Sequence, residues 1–381
     1  MRINYVIPTW IGQRRNPNVN YLKDHLMSLV ELTHNLDQIT IVRPTVNGNK
    51  AYYEIDNIIK ELNCPVIILN RNSNEGQSYG QLFYAYEKYR TEFDYYIFVE
   101  DDYVPAINNF DSLLIDEYQE QDVKGYLCSY AAITPEDPIG GCSISNGIIS
   151  TKYFEKFYDF HSNPSKAIDG KEGWMCHQNF AQLIHDCNLE TKGLEYKYRV
   201  PYHGNKIIEY GRTDTEKAIF IPHQLYKPNI RFRRMNIDDI NWFLDIRNGV
   251  REYLHNNCEF TYDDAIEWFN KTDRPSYYVI ELGHKKIGYF RTSDVDGSLY
   301  MGCDLHKNYQ GFGLAYKAYI KFIEQIKAYY GLKEIKLEVL STNTRAINLY
   351  KKLGFKEIGI AKDKVNRNGV IIDSIIMKLD I

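Results

Sequence analysis

The sequence is poor in the features that would assign it quickly to an extracellular, membrane or nucleic-acid-binding class. Its seven cysteines, at positions 64, 128, 142, 176, 187, 258 and 303, include no Cys-x-x-Cys pair, and the count is odd. That argues against a disulfide framework or a structural zinc site and for a reducing compartment. No apolar run approaches the roughly 20 residues of a membrane span. Met1 to Pro8 lacks the basic region and long apolar core of a signal peptide, so a cytoplasmic location is expected. Formal net charge is only −4, with lysine and arginine spread along the chain, so no electrostatic grip on nucleic acid or anionic lipid is expected.

What is present is length, a globular composition and many tyrosines. At 381 residues the chain exceeds what one hydrophobic core usually serves, and two domains are expected. The 44% apolar fraction suits a folded globular protein. The 33 tyrosines accompany many Asn, Lys and Ile residues, a bias that genome composition explains as well as function does.

In the first 225 residues, strand-like and helix-like segments alternate. Ile3–Ile7, Gln38–Val42 and Val66–Leu69 read as strands, and the helical segments are 20–33 and 52–62. This predicts a mostly parallel sheet covered on both faces. The polar stretch 70–80 is expected as a loop opening a helix over 81–90, where backbone amides suit a phosphate. Simple helix capping explains the same residues.

The next strand, Tyr95–Val99, runs into Glu100-Asp101-Asp102, three consecutive carboxylates at the edge where such sheets bind ligands. A divalent cation would relieve their repulsion, and a solvated acidic turn would do so equally. Further on, Ser143–Ser150 precedes a helix-like 153–160, and the carboxylates Asp169 and Glu172 stand before a helix over 175–186.

Taken together, strand-Pro8-Thr9, the Asn-rich loop with Gly76, Ser78 and Gly80, and the strand ending in the acidic triplet resemble the GT-A glycosyltransferases. The resemblance covers residues 1–227 and implies a Rossmann-like nucleotide-sugar domain. It implies that Thr9, Arg71, Asn72 and Asp101 contact a nucleotide sugar, and that Asp102, with His223, holds a Mn²⁺ or Mg²⁺ ion on its diphosphate. Segment 143–150 would line the sugar and acceptor pocket. Glu172, or else Asp169, would be the catalytic base, although carboxylates also favour helix starts for their dipole alone. Strand 2 ends in Arg43-Pro44 rather than in the acidic residues of many relatives, which leaves the nucleotide open.

At Lys227-Pro228-Asn229 the pattern breaks, and residues 228–381 read as an independent α+β domain with a mixed sheet. Gln310-Gly311-Phe312-Gly313-Leu314-Ala315 lies between a strand ending at Leu305 and a helix beginning near Gly313. Glycines there let backbone N–H groups approach a pyrophosphate, and the helix start favours its charge. After the next strand comes Asn343-x-x-Ala346-x-x-x-Tyr350-x-x-x-Gly354-Phe355.

The two segments together resemble the GNAT N-acetyltransferases. The resemblance implies acetyl-CoA as cofactor, held by Leu305, the 310–315 loop and Asn343, with Tyr350 protonating the departing thiolate. Tyr300, Met301, Cys303 and Asp304 lie near the expected reaction centre without identifying a base. Arg247, Asn248 and Arg251 resemble the acceptor side of GNATs that acetylate nucleotide-linked amino sugars, and in part the ribosomal-protein enzymes. Arg247 and Arg251 also fit a solvated helix face.

The combined expectation is a bifunctional enzyme. It would acetylate a nucleotide-linked amino sugar of the 4-amino-4,6-dideoxyhexose (viosamine) type and transfer the sugar to a glycan acceptor, as surface-glycan enzymes of bacteria and large DNA viruses do. The competing expectation is a protein N-acetyltransferase whose first half recruits substrate. Either fits a monomer or a homo-oligomer.

Overall fold

The computed structural model describes residues 1–9, 21–44, 55–132, 141–161, 174–195, 198, 202–203, 206–207, 218–271, 277–295, 298–330, 332–367 and 369–381. The chain divides into two compact units, Met1–Pro228 and Asn229–Ile381.

In the first unit, the strands are β1 (Ile3–Pro8), β2 (Gln38–Pro44), β3 (Val66–Arg71), β4 (Tyr95–Val99), β5 (Tyr103–Pro105), β6 (Gly125–Ala132), β7 (Gly141–Ser150), β8 (Glu190–Gly193), β9 (Tyr202–His203), β10 (Lys206–Ile207) and β11 (Phe220–Pro222). Among them run α1 (Tyr21–Glu31), α2 (Asp56–Ile59), α3 (Gln77–Tyr89), α4 (Phe110–Glu120), α5 (Thr151–Phe160) and α6 (Trp174–Asp186). Seven strands form one sheet in the order β3-β2-β1-β4-β7-β6-β8. β1 to β4 are mutually parallel, and β7 runs antiparallel between β4 and β6. Strand order therefore reverses between β1 and β4, which places a crevice at their carboxyl ends.

Aromatic packing ties α3 to its neighbouring helices α5 and α6. Tyr86 stacks on Phe154 at 4.0 Å between ring centroids, and Tyr79 on Phe180 at 4.5 Å. Tyr5, Tyr79, Tyr86, Tyr96 and Tyr126 are fully buried, so part of the tyrosine excess serves the core.

The stretch 143–150 belongs to β7, an inner strand of the sheet, with Ile148 and Ile149 buried. Local structure departs from the sequence expectation in two places. Helix α3 begins at Gln77, not Gln81, because left-handed Gly76 (φ 72°) turns the chain into it. Gly80 thus lies within the helix, where a Cβ would sit 1.9 Å from the Glu75 carbonyl oxygen. Close packing, not a turn, requires that glycine. The described part of the helix expected over 52–62 is limited to Asp56–Ile59.

The second unit contains β12 (Ile230–Arg234), α7 (Ile240–Gly249), α8 (Tyr262–Lys271), β13 (Tyr277–Leu282), β14 (Lys285–Val295), β15 (Ser298–Leu305), α9 (Leu314–Tyr330), β16 (Glu334–Leu340), α10 (Thr344–Lys352), β17 (Lys356–Arg367) and β18 (Val370–Asp380). The sheet order is β12-β13-β14-β15-β16-β18-β17, and it is mixed. β15 and β16 are parallel neighbours and every other pair is antiparallel. α7 and α8 pack on one face, with Phe243, Ile246 and Phe269 against Val279 and Tyr289. On the other face Phe322 of α9 stacks on Phe290 of β14 at 4.3 Å.

Candidate active site

The distinctive feature of the second sheet is where two strands part. Among the described residues, β15 and β16 pair only at Leu299↔Ile335 and Tyr300↔Lys336, at their amino ends. Beyond that point they diverge, opening a wedge between 301–305 and 337–340. The glycine loop follows β15 at the wide end, leading to α9.

Gln310 anchors that loop: its Nε2 donates to the Leu305 carbonyl at 2.9 Å, and its Oε1 accepts from Arg345 at 3.0 Å. Gly311 and Gly313 adopt left-handed φ values of +91° and +72°, with nothing within 4 Å of where a Cβ would point. They are chosen for backbone conformation, and the space beside them is open. Leu314 is buried and Ala315 half-buried, so α9 starts rigidly. Its first N–H groups, lacking intrahelical acceptors, face the loop end and suit an anion. Phe312 is half-buried in the loop.

Asn343 caps α10, its Oδ1 accepting from the Ala346 N–H at 3.1 Å, so its side-chain oxygen is engaged in the helix start. Tyr350 is buried with its ring against Tyr319 and Phe355. The Tyr319 hydroxyl donates to the Tyr350 oxygen at 3.5 Å, leaving Tyr350's own proton for another acceptor. Burial pushes the Tyr350 pKa up to about 12, so the phenol is protonated at neutral pH.

On the α7 face, Arg291 of β14 lies opposite Gly302 of β15. A Cβ at Gly302 would fall 2.7 Å from Arg291 Nε, so the missing side chain lets the guanidinium cross the strand. It reaches Asp304 at 3.0 Å. Burial pushes the Cys303 thiol well up, toward the un-ionised form, which suits packing rather than nucleophilic attack.

Arg247 and Asn248, expected to face an acceptor, turn inward. Arg247 is 5% exposed; it donates to the carbonyls of Cys258 and, at 3.1 Å, Asn256, and lies 3.7 Å over the Phe260 ring. Asn248 brackets Phe260, donating to its carbonyl at 2.9 Å and accepting from its N–H at 3.0 Å. Both residues shape the 256–260 loop from behind. Arg251 is exposed and pairs with Glu259 at 3.2 Å.

In the first unit, Glu100–Tyr103 forms a tight turn at the end of β4, closed by the Tyr103 N–H to the Glu100 carbonyl at 3.0 Å. Ser78 of α3 donates to the Glu100 carboxylate at 2.5 Å. Asp101 is buried. The Asp102 carbonyl accepts from the His223 N–H at 2.9 Å, so β5–β11 pairing brings these two residues side by side. The His223 ring lies edge-on to Tyr21 at 4.0 Å, and burial lowers its pKa. Beneath the turn, His25 is fully buried and hydrogen-bonded to Tyr5 at 2.8 Å; burial lowers its pKa to about 3, so it is neutral. Among the described residues, no three His, Cys, Asp or Glu side chains are grouped to hold a metal.

Thr9 is buried, its N–H and hydroxyl bonded to the Val42 carbonyl and its backbone clasped by Gln81. Arg71 donates to the Glu75 carbonyl at 2.6 Å, and Asn72 is exposed. Asp169 and Glu172 lie outside the described residues. An open cavity of about 830 Å³, lined in part by Tyr95, Tyr118 and Tyr153, sits at the amino end of β4; Ser150 lines it, but none of the residues expected to contact the nucleotide sugar or metal does.

The second unit thus combines a splayed parallel pair, a glycine loop leading into a helix start and a buried phenol. Consistent with that, residues 243–355 match the model of the acetyltransferase (GNAT) family, and the chain carries a GNAT acetyltransferase domain at its C-terminal end. A spermidine N-acetyltransferase from Vibrio cholerae, solved with CoA and spermine, is similar at 22% identity over 40% of this chain and 95% of that one, with a TM-score of 0.37. A ribosomal-protein-alanine N-acetyltransferase from Brucella melitensis is similar at 19% identity, over 40% of this chain and 99% of that one, with a TM-score of 0.36. An N-acetyltransferase from Staphylococcus aureus Mu50 aligns at 20% identity, 40% and 98% coverage and a TM-score of 0.36. No curated protein matches the sequence. Among the described residues, no helix is long and apolar enough to cross a membrane.

Proposed function

We propose that the second unit transfers an acetyl group from acetyl-CoA to the amine of a nucleotide-linked amino sugar of the 4-amino-4,6-dideoxyhexose type. The observation that carries the acetyl-CoA part is the left-handed pair Gly311 and Gly313 opening onto empty space at the wide end of the β15/β16 wedge. The loop amides take the pyrophosphate and the wedge takes the thioester arm. Tyr350, protonated and buried beside it, gives its proton to the leaving sulfur. Loop 256–260, held by Arg247 and Asn248, borders the acceptor side and sets which amine fits.

The first unit, in this reading, is a glycosyltransferase of the GT-A type that passes the acetylated sugar to a glycan. Support comes from the acidic turn at the carboxyl end of β4, beside the point where strand order reverses. Asp102 and His223 would hold a Mn²⁺ or Mg²⁺ ion, which would need further oxygens from a diphosphate and would stabilise charge on the leaving group. Linking two such sites raises the local concentration of the shared intermediate.

Mass spectrometry after mixing acetyl-CoA with a panel of nucleotide-linked amino sugars and ribosomal peptides tests both parts. Acetylated sugar nucleotide is the expected product. Acetylated peptide in its place would make the protein an N-acetyltransferase of proteins with a recruiting first unit. Mn²⁺-dependent sugar-nucleotide hydrolysis that survives Asp102→Ala would remove the metal assignment.

A further inference from the structure

The sheet of the first unit has two ends, and the proposed transfer site uses only the carboxyl one. At the amino end of β4 lies the open cavity of about 830 Å³, within the roughly 300–1,000 Å³ that small-molecule sites occupy. β4 contributes five residues, Tyr95–Val99, so roughly 17 Å of strand separates this cavity from the acidic turn. A sugar unit held here is remote from Asp102. The cavity walls come from α4 and the residues after it, from the start of β4, and from Ser150 and the first turn of α5.

Tyrosine sets the character of those walls. Tyr118 is buried, and its hydroxyl donates to the Gly125 carbonyl at 2.7 Å while accepting from the Ser150 N–H at 3.3 Å, so one wall is fixed in place. Tyr95 is half-buried and stands edge-on to Tyr118, with ring centroids 5.6 Å apart and planes at 83°. Its hydroxyl oxygen accepts from Gln119 Nε2 at 3.3 Å. That leaves the Tyr95 O–H to donate and the Gln119 Oε1 to accept, two valences without a partner among the described residues. Tyr153, in the first turn of α5, adds a third half-buried ring.

The charged side chains lining the cavity are already paired. Asp94 accepts the Arg2 N–H at 2.6 Å, Asp122 lies 3.2 Å from Lys124, and the Lys152 ammonium sits 5.2 Å from the centroid of the Tyr153 ring. An anion would meet Asp94 and Asp122; a cation would meet Lys152 and Lys124. A neutral ligand whose groups both donate and accept meets neither obstacle. A peptide binds through a strand edge or an apolar groove, and this cavity opens at strand ends among hydroxyl, amide and carboxylate groups. We propose that the cavity binds a neutral saccharide, its hydroxyls hydrogen-bonded to Gln119, Tyr95 and the carboxylates, and a ring C–H face laid on tyrosine. This goes beyond the transfer reading above: it gives the first unit a second, non-catalytic hold on a glycan.

The test is saturation-transfer NMR on the full chain with the methyl glycosides of glucose, galactose, mannose, rhamnose and N-acetylglucosamine, each at about 10 mM, where a site of about 1 mM affinity is nearly full. Inorganic phosphate and choline are the charged controls. At least one glycoside should bind, with its ring C–H protons receiving most of the transfer and neither control displacing it. Hydrogen-exchange mass spectrometry should then show protection at 150–154, where the Lys152 and Tyr153 N–H groups start α5 without intrahelical acceptors, and none at 100–103. Gln119→Ala, at an exposed position on α4, should weaken that glycoside about 5-fold, as one lost hydrogen bond does. Tyr95→Ala should abolish binding and Tyr95→Phe should retain part of it, which separates loss of the ring from loss of the fold. Binding that is unchanged in Gln119→Ala and Tyr95→Ala, protection confined to 100–103, displacement by either control, or no transfer from any glycoside would each overturn the proposal. Mn²⁺-dependent sugar-nucleotide hydrolysis, measured in the same preparations, decides the transfer reading separately: hydrolysis can persist when no glycoside binds, and a glycoside can bind when hydrolysis is absent.

Discussion

Asp239 offers a stability test whose size follows from the structure. Its carboxylate is 1% exposed and accepts four hydrogen bonds: from Arg233 Nη1 at 2.7 Å and Nη2 at 2.8 Å, from Lys286 at 3.0 Å and from the Asn236 N–H at 3.0 Å. Burial alone would raise its pKa, but these donors outweigh burial and hold it at about 2. Against an unfolded value of 3.8 that is a shift of about 2 units, or about 2.5 kcal/mol of stability from the ionised form. A depressed carboxylate stabilises above its unfolded pKa and loses that contribution as pH falls through the folded one. About 1 kcal/mol should therefore be gone by pH 3 and most of it near pH 1.

Asp239→Asn keeps the volume and removes the charge. Arg233 retains Glu281 at 2.8 Å, so the loss should stay near 2–3 kcal/mol, below that of a fully orphaned buried ion, which costs about 3–5 kcal/mol. For a unit spanning Asn229–Ile381 this is a melting-temperature drop of about 5–10 °C. Hydrogen-exchange mass spectrometry of β12 and β13 peptides in denaturant isolates this unit within the full chain. Equal protection of variant and wild type at pH 7, or a gap that fails to narrow at pH 3, would refute the argument.

Three further outcomes are expected. Gly311→Ala forces a left-handed alanine, costing about 1 kcal/mol, and puts a methyl into the proposed phosphate space; calorimetry should show acetyl-CoA affinity lowered at least about 10-fold with the fold intact. Tyr350→Phe should lower kcat by about 100-fold without changing acetyl-CoA affinity, measured by thiol release against calorimetry. Arg247→Ala leaves two carbonyls without their donor and should destabilise loop 256–260 by about 1–3 kcal/mol, raising amide exchange there and the acceptor KM; Arg247→Lys should not rescue it.

Much of this architecture was legible as pattern. Alternating strand and helix segments anticipated β1 to β4 and α1, and two spaced motifs anticipated the loop at 310–315 and helix α10. The remainder turned on contacts between distant positions. The stretch that became β6, Gly125–Ala132, mixes small and polar residues, and its strand character comes from pairing with β7 and β8. Gly80 looked like a loop residue because sequence shows the absent side chain but not the carbonyl that excludes it. Arg247 and Asn248 carry the right residue types for ligand contact, yet their donors are spent on backbone carbonyls of a loop that local spacing does not reveal.

The parting of β15 and β16 has a mechanical meaning as well. Among the described residues, two residue pairs join the strands β12 to β15 with the strands β16 to β18 in the ladder, so the sheet is stitched at one end like a clothes-peg. Any extended molecule bearing amide groups that lies in the jaws can add rungs to both sides at once. The small molecule the domain consumes would then also splint the domain that consumes it, tightest while loaded and loosest at the moment of release.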